Sequence, residues 1–114
     1  MVNFYYYDKK IDDLIISNKE LNEKVKKNFI FDDFIISLTG SGKVVALEIK
    51  NASKFLIDSG RDPKILNDVK EVILEVVPRK NFIGIYIGLM IAEQKNIIEM
   101  RIPITHLPME AVTY

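Results

Sequence analysis

Residues 42–54 constrain the fold more than any other part of the chain, because they predict three consecutive elements. Gly42 provides the positive φ that a tight hairpin turn requires. Residues 44–49 form an apolar run that is typical of a buried β-strand, and residues 34–38 form another just before the turn. The segment therefore predicts a β-hairpin whose second strand leads directly into a helix.

That short helix is predicted at residues 52–57. Asn51 is expected to cap it, since an asparagine side-chain oxygen can accept a hydrogen bond from the first turn of a helix. Ala52, Phe55 and Leu56 follow at the i, i+3, i+4 spacing of one helix face. We therefore expect this face of the helix to pack on the sheet.

Most of the remaining chain is predicted to form antiparallel strands. The predicted strands cover residues 4–7, 12–17, 29–31, 34–38, 44–49, 69–77, 82–92 and 97–104, with a loop or one helical turn at 18–27 and a single helical turn at 64–67. Pro103 predicts that the last strand lies at a sheet edge. The class is α+β, a mostly antiparallel β-sheet with one short helix after the second hairpin, in a single small domain. We expect a unit at residues 1–60 and a C-terminal β extension at residues 61–114 packing on the same core.

The composition argues against several classes of function. Of the 114 residues 48% are hydrophobic, enough for a packed core, and 16 basic residues balance 16 acidic ones. Zero net charge argues against general nucleic-acid binding, which requires a basic excess. The chain has no cysteine, its first residues lack a signal-peptide pattern, and its longest apolar run of eleven residues is short of the about 20 that span a membrane. We expect a cytoplasmic protein without membrane association.

Abundant isoleucine, lysine and asparagine fit a thermophile or an AT-rich genome.

The predicted strand at residues 82–92 is apolar on both faces, whereas a half-exposed antiparallel strand alternates with polar residues. One interpretation is a central strand beneath the helix. The other, which we favour, is a subunit interface where Gly84 and Gly88 permit close approach. Because one short helix covers little of a sheet, we predict a homodimer. Its predicted interface residues are Ile85, Tyr86, Ile87 and Met90.

No catalytic, cofactor or metal site is predicted. Residues 39–43 end in Gly-Lys, but a phosphate-binding loop also needs a glycine at position 37 and a hydroxyl residue at position 44, where Ser37 and Val44 stand. His106 is the only histidine and has no partner pattern for catalysis or metal binding. The carboxylate pairs at 12–13 and 32–33 are typical of turns, and adjacent residues in a strand point to opposite faces.

The tyrosines of the first strand suggest a ligand surface. Three consecutive tyrosines occupy positions 5–7, and basic residues occur nearby at 9–10 and within 24–27. Such a combination can stack bases or small aromatic ligands beside a basic flank, with Tyr5 and Tyr7 on one face. The alternative is an aromatic strand with one buried face and a solvated run of charges.

The N-terminal half, about residues 6–56, resembles the YuzE-like family of small domains of unknown function. The resemblance is carried by Tyr7-Asp8, Asp13-Leu14-Ile15-Ile16, Ile35-Ile36, Gly42-Lys43-Val44-Val45-Ala46-Leu47-Glu48-Ile49 and Asn51-Ala52-Ser53-Lys54. The chain departs from the family at residues 39–42, where an aspartate-rich turn is usual. The resemblance implies a curved antiparallel sheet with a short helix and no catalytic residues.

Two function hypotheses follow. The first is a non-enzymatic protein-interaction module, with the antitoxin-like role that the resemblance suggests and a small protein as its partner. The second is a small-molecule or nucleic-acid binding protein that uses the tyrosine strand.

Overall fold

The computed structural model describes residues 4–78, 83–91 and 97–104. Antiparallel strands dominate these ranges, with one α-helix and one 3₁₀ helix, so the predicted α+β class is confirmed. The elements are β1 (Phe4–Asp8), β2 (Asp13–Ser17), β3 (Val25–Phe31), β4 (Phe34–Thr39), β5 (Val44–Lys50), α1 (Ala52–Asp58), the 3₁₀ helix (Pro63–Asn67), β6 (Val69–Pro78), β7 (Ile83–Ile91) and β8 (Ile97–Ile104). None of the described helices is long and apolar enough to span a membrane.

The described strands form two antiparallel sheets. The first sheet has the order β1-β2-β5-β4-β3, and the second has the order β6-β7-β8. The predicted β4–β5 hairpin is confirmed, and its turn contains Gly42 at a φ of 86°. The predicted edge position of β8 is confirmed as well.

Strand β3 corrects the prediction of a loop or helical turn at residues 18–27. It begins at Val25 and includes Lys26 and Lys27, at one edge of the first sheet. Because the two lysines interrupt the apolar pattern of these residues, the sequence did not predict a strand here. Lysine is nevertheless common on edge strands, where its charge discourages pairing with another chain.

Among the described residues, one hydrophobic core lies between the two sheets and includes the helix. The core residues come from β2, β4, β5, α1, the 3₁₀ helix, β6, β7 and β8: Leu14, Ile16, Ile36, Leu38, Val44, Leu47, Ile49, Ala52, Leu56, Leu66, Val72, Leu74, Ile85, Ile87, Leu89 and Met100. Burial of these side chains supplies most of the driving force for folding. The early and late halves of the chain therefore share one core.

The central position of β7 explains why it is apolar on both faces. Ile85 and Ile87 are 1% and 0% exposed, because they pack in the core of a single chain. They are therefore covered within one chain, and the subunit interface predicted at Ile85, Tyr86, Ile87 and Met90 stays a prediction. Tyr86 and Met90 lie on the opposite side of the strand and are half-buried. Residues 82 and 92 of the predicted strand lie outside the described residues.

The helix prediction is confirmed in position but wrong in its cap. Asn51 has a φ of 53° and makes no side-chain cap, because a capping side chain requires an extended backbone. The cap comes from Asp12, in the turn between β1 and β2. Its carboxylate accepts hydrogen bonds from the Ser53 amide at 3.1 Å and the Ser53 hydroxyl at 2.6 Å. Leu56 is buried as expected, and Phe55 packs edge-on against Phe34 with ring centroids 5.5 Å apart.

Candidate functional site

The first sheet has two faces with different surroundings. Its core face packs against the helix and the second sheet. We call the opposite side the outer face, and alternation along the strands assigns residues to it. The outer face consists of Phe4, Tyr6, Asp8, Asp13, Ile15, Ser17, Asn28, Ile30, Ile35, Ser37, Ala46, Glu48 and Lys50.

One row of directly paired residues crosses all five strands of the outer face. In sheet order the row is Tyr6, Ile15, Glu48, Ile35 and Ile30. Tyr6 is 49% exposed and Ile30 is 69% exposed, at the two ends of the row, and the three inner residues are half-buried. Four large apolar or aromatic side chains therefore flank the Glu48 carboxyl group, which lies in the middle of this row.

The adjacent row is uncharged and largely small. In sheet order it is Phe4, Ser17, Ala46, Ser37 and Asn28. Small side chains stand less far from the backbone than isoleucine, so the middle of this row lies lower than the apolar row beside it. Phe4, which is 53% exposed, closes the row at the β1 edge. The outer face thus combines a raised apolar strip with a shallow uncharged one.

The central carboxyl group of the outer face is paired with a second carboxyl group. Asp13 lies next to Glu48 on the same face and is only 9% exposed. The hydrogen bond with Asp13 raises the pKa of Glu48 to about 7, and burial and repulsion between the carboxyl groups add to the shift. The Glu48 carboxyl therefore gives up its proton less readily than an ordinary glutamate. Lys50 is opposite Asp13 in the register, yet within the described ranges it forms no ion pair with either carboxyl group.

The tyrosines of β1 divide between the two faces of the sheet. The Tyr5 hydroxyl donates a hydrogen bond to the Leu66 carbonyl oxygen at 2.5 Å, and the Tyr7 hydroxyl donates one to Asp12 at 2.5 Å. Burial raises the pKa of each of the two phenols to about 12. Both side chains therefore tie β1 to neighbouring elements on the core side, and Tyr6 is the tyrosine that faces outward. A ligand surface at Tyr5 and Tyr7 stays a prediction.

The basic residues within 24–27 do not lie beside the tyrosine strand. Lys24 precedes β3, and Lys26 and Lys27 lie within it, at the edge of the first sheet opposite β1. Three strands separate them from the tyrosines. The combined aromatic and basic surface that the sequence suggested is therefore not formed by these lysines.

The two aspartate pairs do not act as units. Asp12 reaches the helix start, and Asp13 points to the outer face. Asp32 and Asp33 form the β3–β4 turn beside a shallow cleft of about 540 Å³, where Lys54 and Asp58 of the helix form an ion pair of 2.7 Å. Within the described ranges, no group of three histidine, aspartate or glutamate side chains could hold a metal ion. His106 lies outside the described residues.

The turn at residues 39–43 has a structural role. The Thr39 hydroxyl accepts a hydrogen bond from the Lys43 amide at 3.2 Å, and it lies 3.0 Å from the Ser41 hydroxyl. The Lys43 ammonium forms an ion pair of 2.7 Å with Glu23. This turn joins two strands, whereas a phosphate-binding loop joins a strand to a helix.

The second sheet presents a different outer surface. Its central strand contributes Tyr86 and Met90, and the Tyr86 hydroxyl donates a hydrogen bond to Glu99 on β8 at 2.9 Å. Charged residues lie on the edge strands, with Glu75 and Arg101 on either side of Tyr86 in the register. Charges at sheet edges are the usual arrangement on a solvated sheet.

Glu48 and Tyr6 are the outer-face residues that the sequence interpretation missed as site candidates. The only available signal was the alternation of β1, β2 and β5, which places Tyr6 and Glu48 opposite the core residues of their strands. The pairing of Asp13 with Glu48 depends on the β2–β5 register, which the sequence does not reveal. No family model, curated protein or solved structure matches this chain. The resemblance to the YuzE-like family therefore stays a prediction.

Proposed function

We propose that this chain is a non-enzymatic protein-interaction module that binds a protein partner on the outer face of its first sheet. The observation that carries the proposal is the row from Tyr6 to Ile30, in which large side chains cross the whole face around one carboxyl group. Solvated antiparallel sheets usually expose polar residues at such positions. Contiguous apolar surface on a folded domain is typical of an interaction site.

The shape of the outer face supports a protein partner. Phe4 and Tyr6 form an aromatic side at one edge, and aromatic residues contribute strongly to many protein interfaces. Ile15 and Ile35 provide half-buried apolar contacts on either side of the centre. A partner that covers these side chains would remove apolar area from water at about 25 cal/mol per Å² before the costs of association.

The resemblance described above suggests an antitoxin-like role, with a small protein as the partner, in the cytoplasm. The absence of cysteine from the chain fits that compartment. The partner class rests on the resemblance, and the binding surface rests on the exposed side chains.

A paired capture experiment tests the binding surface. The wild-type chain and the variants Ile30→Asp and Ile57→Asp are immobilised and exposed to extract from the native source, and bound proteins are identified by mass spectrometry. Ile57 is the matched control because it is 58% exposed on α1, compared with 69% for Ile30 on the outer face. We expect one partner to bind the wild type and Ile57→Asp and to be lost with Ile30→Asp. Equal capture by all three folded chains would refute the proposed surface.

The alternative function, small-molecule or nucleic-acid binding through the tyrosine strand, is favoured by one observation. Phe4 and Tyr6 are both about half exposed on the same face of β1. Nucleic-acid bases of any sequence can stack on such a pair of aromatic rings. Asp8, Asp13 and Glu48 on the same face oppose a phosphate backbone, which favours a protein partner over nucleic acid. The preference for a protein partner would be reversed if the chain bound a single-stranded oligonucleotide at physiological salt and Tyr6→Ala abolished that binding.

Self-association stays part of the proposal. Tyr86 and Met90 remain on the outer surface of the second sheet and are available to a second copy of the chain. We expect a homodimer, and sedimentation equilibrium checks it. A mass of 13.2 kDa at micromolar concentration would show a monomer.

A further inference from the structure

The chemistry of the partner can be inferred from the centre of the outer face, if the proposed function holds. Glu48 lies on β5, the central strand of the first sheet, with Ile15 and Ile35 directly beside it on the two neighbouring strands. Asp13 adds a second carboxyl group that is already nine-tenths buried. A partner that covered this face would therefore bury two adjacent carboxyl groups.

Burial of these groups requires a compensating charge. A carboxylate transferred from water to an apolar interface is strongly destabilised unless a cation or hydrogen-bond donors replace the water. The described residues supply no ion pair to Asp13 or Glu48, although Lys50 is near. A cation on the partner would supply the charge that the described residues do not pair with these carboxyl groups.

A second copy of this chain does not supply it through the same face. Two outer faces packed against each other on a two-fold axis would bring two carboxyl pairs into one interface. Like charges in a desolvated interface repel, and Lys50 lies at the end of the face rather than at its centre. The charge of the face therefore favours a different protein.

We infer that the partner presents a lysine or arginine side chain, surrounded by apolar residues, that seats over Asp13 and Glu48. The apolar residues would contact Tyr6, Ile15 and Ile35. The cation would form charge-assisted hydrogen bonds with the two carboxyl groups. The site thus selects a basic and apolar protein surface.

Proton release accompanies this mode of binding. The groups around Glu48 are Asp13 and Lys50 on the neighbouring positions, Asp8 beyond Asp13, and uncharged Ile15 and Ile35 at its sides. Because the pKa of Glu48 is raised to about 7, a bound cation competes with the proton on the Glu48 carboxyl group. We expect cation affinity to rise about tenfold between pH 6 and pH 8, as the ionised fraction of such a group rises.

Small amphiphilic probes test the inference on the intact chain. Hexylammonium, hexanol and hexanoate are titrated separately into the ¹⁵N-labelled protein to tens of millimolar, and amide shifts are recorded at pH 6 and pH 8. We expect hexylammonium to shift the amides of Ile15, Ile35 and Glu48, more strongly at pH 8. The same titration is repeated with Glu48→Gln and with the control Glu75→Gln, an exposed carboxyl on the second sheet.

The outcomes separate this inference from the proposed function. The inference is supported if Glu48→Gln no longer responds more strongly to hexylammonium than to hexanol, while Glu75→Gln still does. On the wild-type chain, a fall in the Glu48 carboxyl pKa on addition of hexylammonium supports it independently of any variant. Equal shifts with hexanol, stronger shifts with hexanoate, or no shift with hexylammonium would overturn it. Hexanol binding alone would leave the apolar face standing as a protein-binding surface, and the capture experiment decides that surface separately.

Discussion

The two faces of the first sheet use the same residue types in different ways. On the core face, the hydroxyls of Tyr5 and Tyr7 have acceptors and the Asp12 carboxylate caps the helix. On the outer face, within the described part of the chain, the Tyr6 hydroxyl has no hydrogen-bond partner and Glu48 forms no ion pair. The hydroxyls of Tyr5 and Tyr7 and the Asp12 carboxylate are therefore satisfied within one chain, whereas the Tyr6 hydroxyl has no such partner among the described residues.

The largest contrast is expected between adjacent residues of β5. Leu47 is 0% exposed on the core face, and Glu48 is the next residue, on the outer face. Leu47→Ala should cost about 2–5 kcal/mol of unfolding free energy, because it leaves a cavity in the core. Glu48→Ala should change stability by about 1 kcal/mol or less. Urea unfolding at pH 7 measures both, and equal losses would remove the distinction between the faces.

The second prediction concerns the helix cap on the core side. Asp12→Ala removes the cap of α1 and the acceptor of the Tyr7 hydroxyl, so it should cost about 1–3 kcal/mol. Asp33→Ala is the control, because Asp33 is an exposed turn aspartate whose carboxylate contacts Asn51 at 3.3 Å. That variant should stay within about 0.5 kcal/mol of the wild type. If Asp33→Ala lowered the unfolding free energy more than Asp12→Ala did, Asp12 would not be the residue that caps the helix.

The third prediction compares neighbouring tyrosines of β1. Tyr7→Phe removes a hydrogen bond to Asp12 and should cost about 0.5–1.5 kcal/mol. Tyr6→Phe removes a solvated hydroxyl and should be neutral within about 0.5 kcal/mol. Thermal unfolding of the two variants checks the order. A destabilised Tyr6→Phe would indicate that the outer face has internal polar contacts.

The smallest predicted effect is the opposite pH dependence of the two faces. Burial opposes ionisation of Asp12, but hydrogen bonds from Ser53 and Tyr7 outweigh it and lower its pKa, so this stabilisation is present above the unfolded pKa and is lost as pH falls. Glu48 has a raised pKa of about 7, so its stabilisation is present below the unfolded pKa and is lost as pH rises through 7. Glu48→Gln should therefore stabilise the chain at pH 8, by about 1 kcal/mol or less after solvent screening. Unfolding curves at pH 4 and pH 8 measure the difference, and a destabilised variant at pH 8 would contradict the raised pKa of Glu48.

The local parts of this fold were predictable and the contacts between distant segments were not. Gly42 and the apolar runs around it predict the β4–β5 hairpin, and the spacing of Ala52, Phe55 and Leu56 predicts the helix face, because each pattern lies within a few residues. The Asp12 cap joins residues 41 positions apart in the chain. The Asp13–Glu48 pair similarly depends on β2 pairing with β5 across the intervening β3–β4 hairpin. Sequence patterns specify faces of elements, and the register that brings those faces together is a property of the whole fold.

The most direct test of the interaction surface is an amide chemical-shift map of the ¹⁵N-labelled chain with its purified captured partner. We predict that the largest shifts and losses of intensity fall on outer-face positions of the central strands, at Ile15, Ile35 and Glu48. The amides of Tyr86 and Met90 on the second sheet serve as the internal comparison. Shifts concentrated on the second sheet, with the three central positions unchanged, would contradict the account.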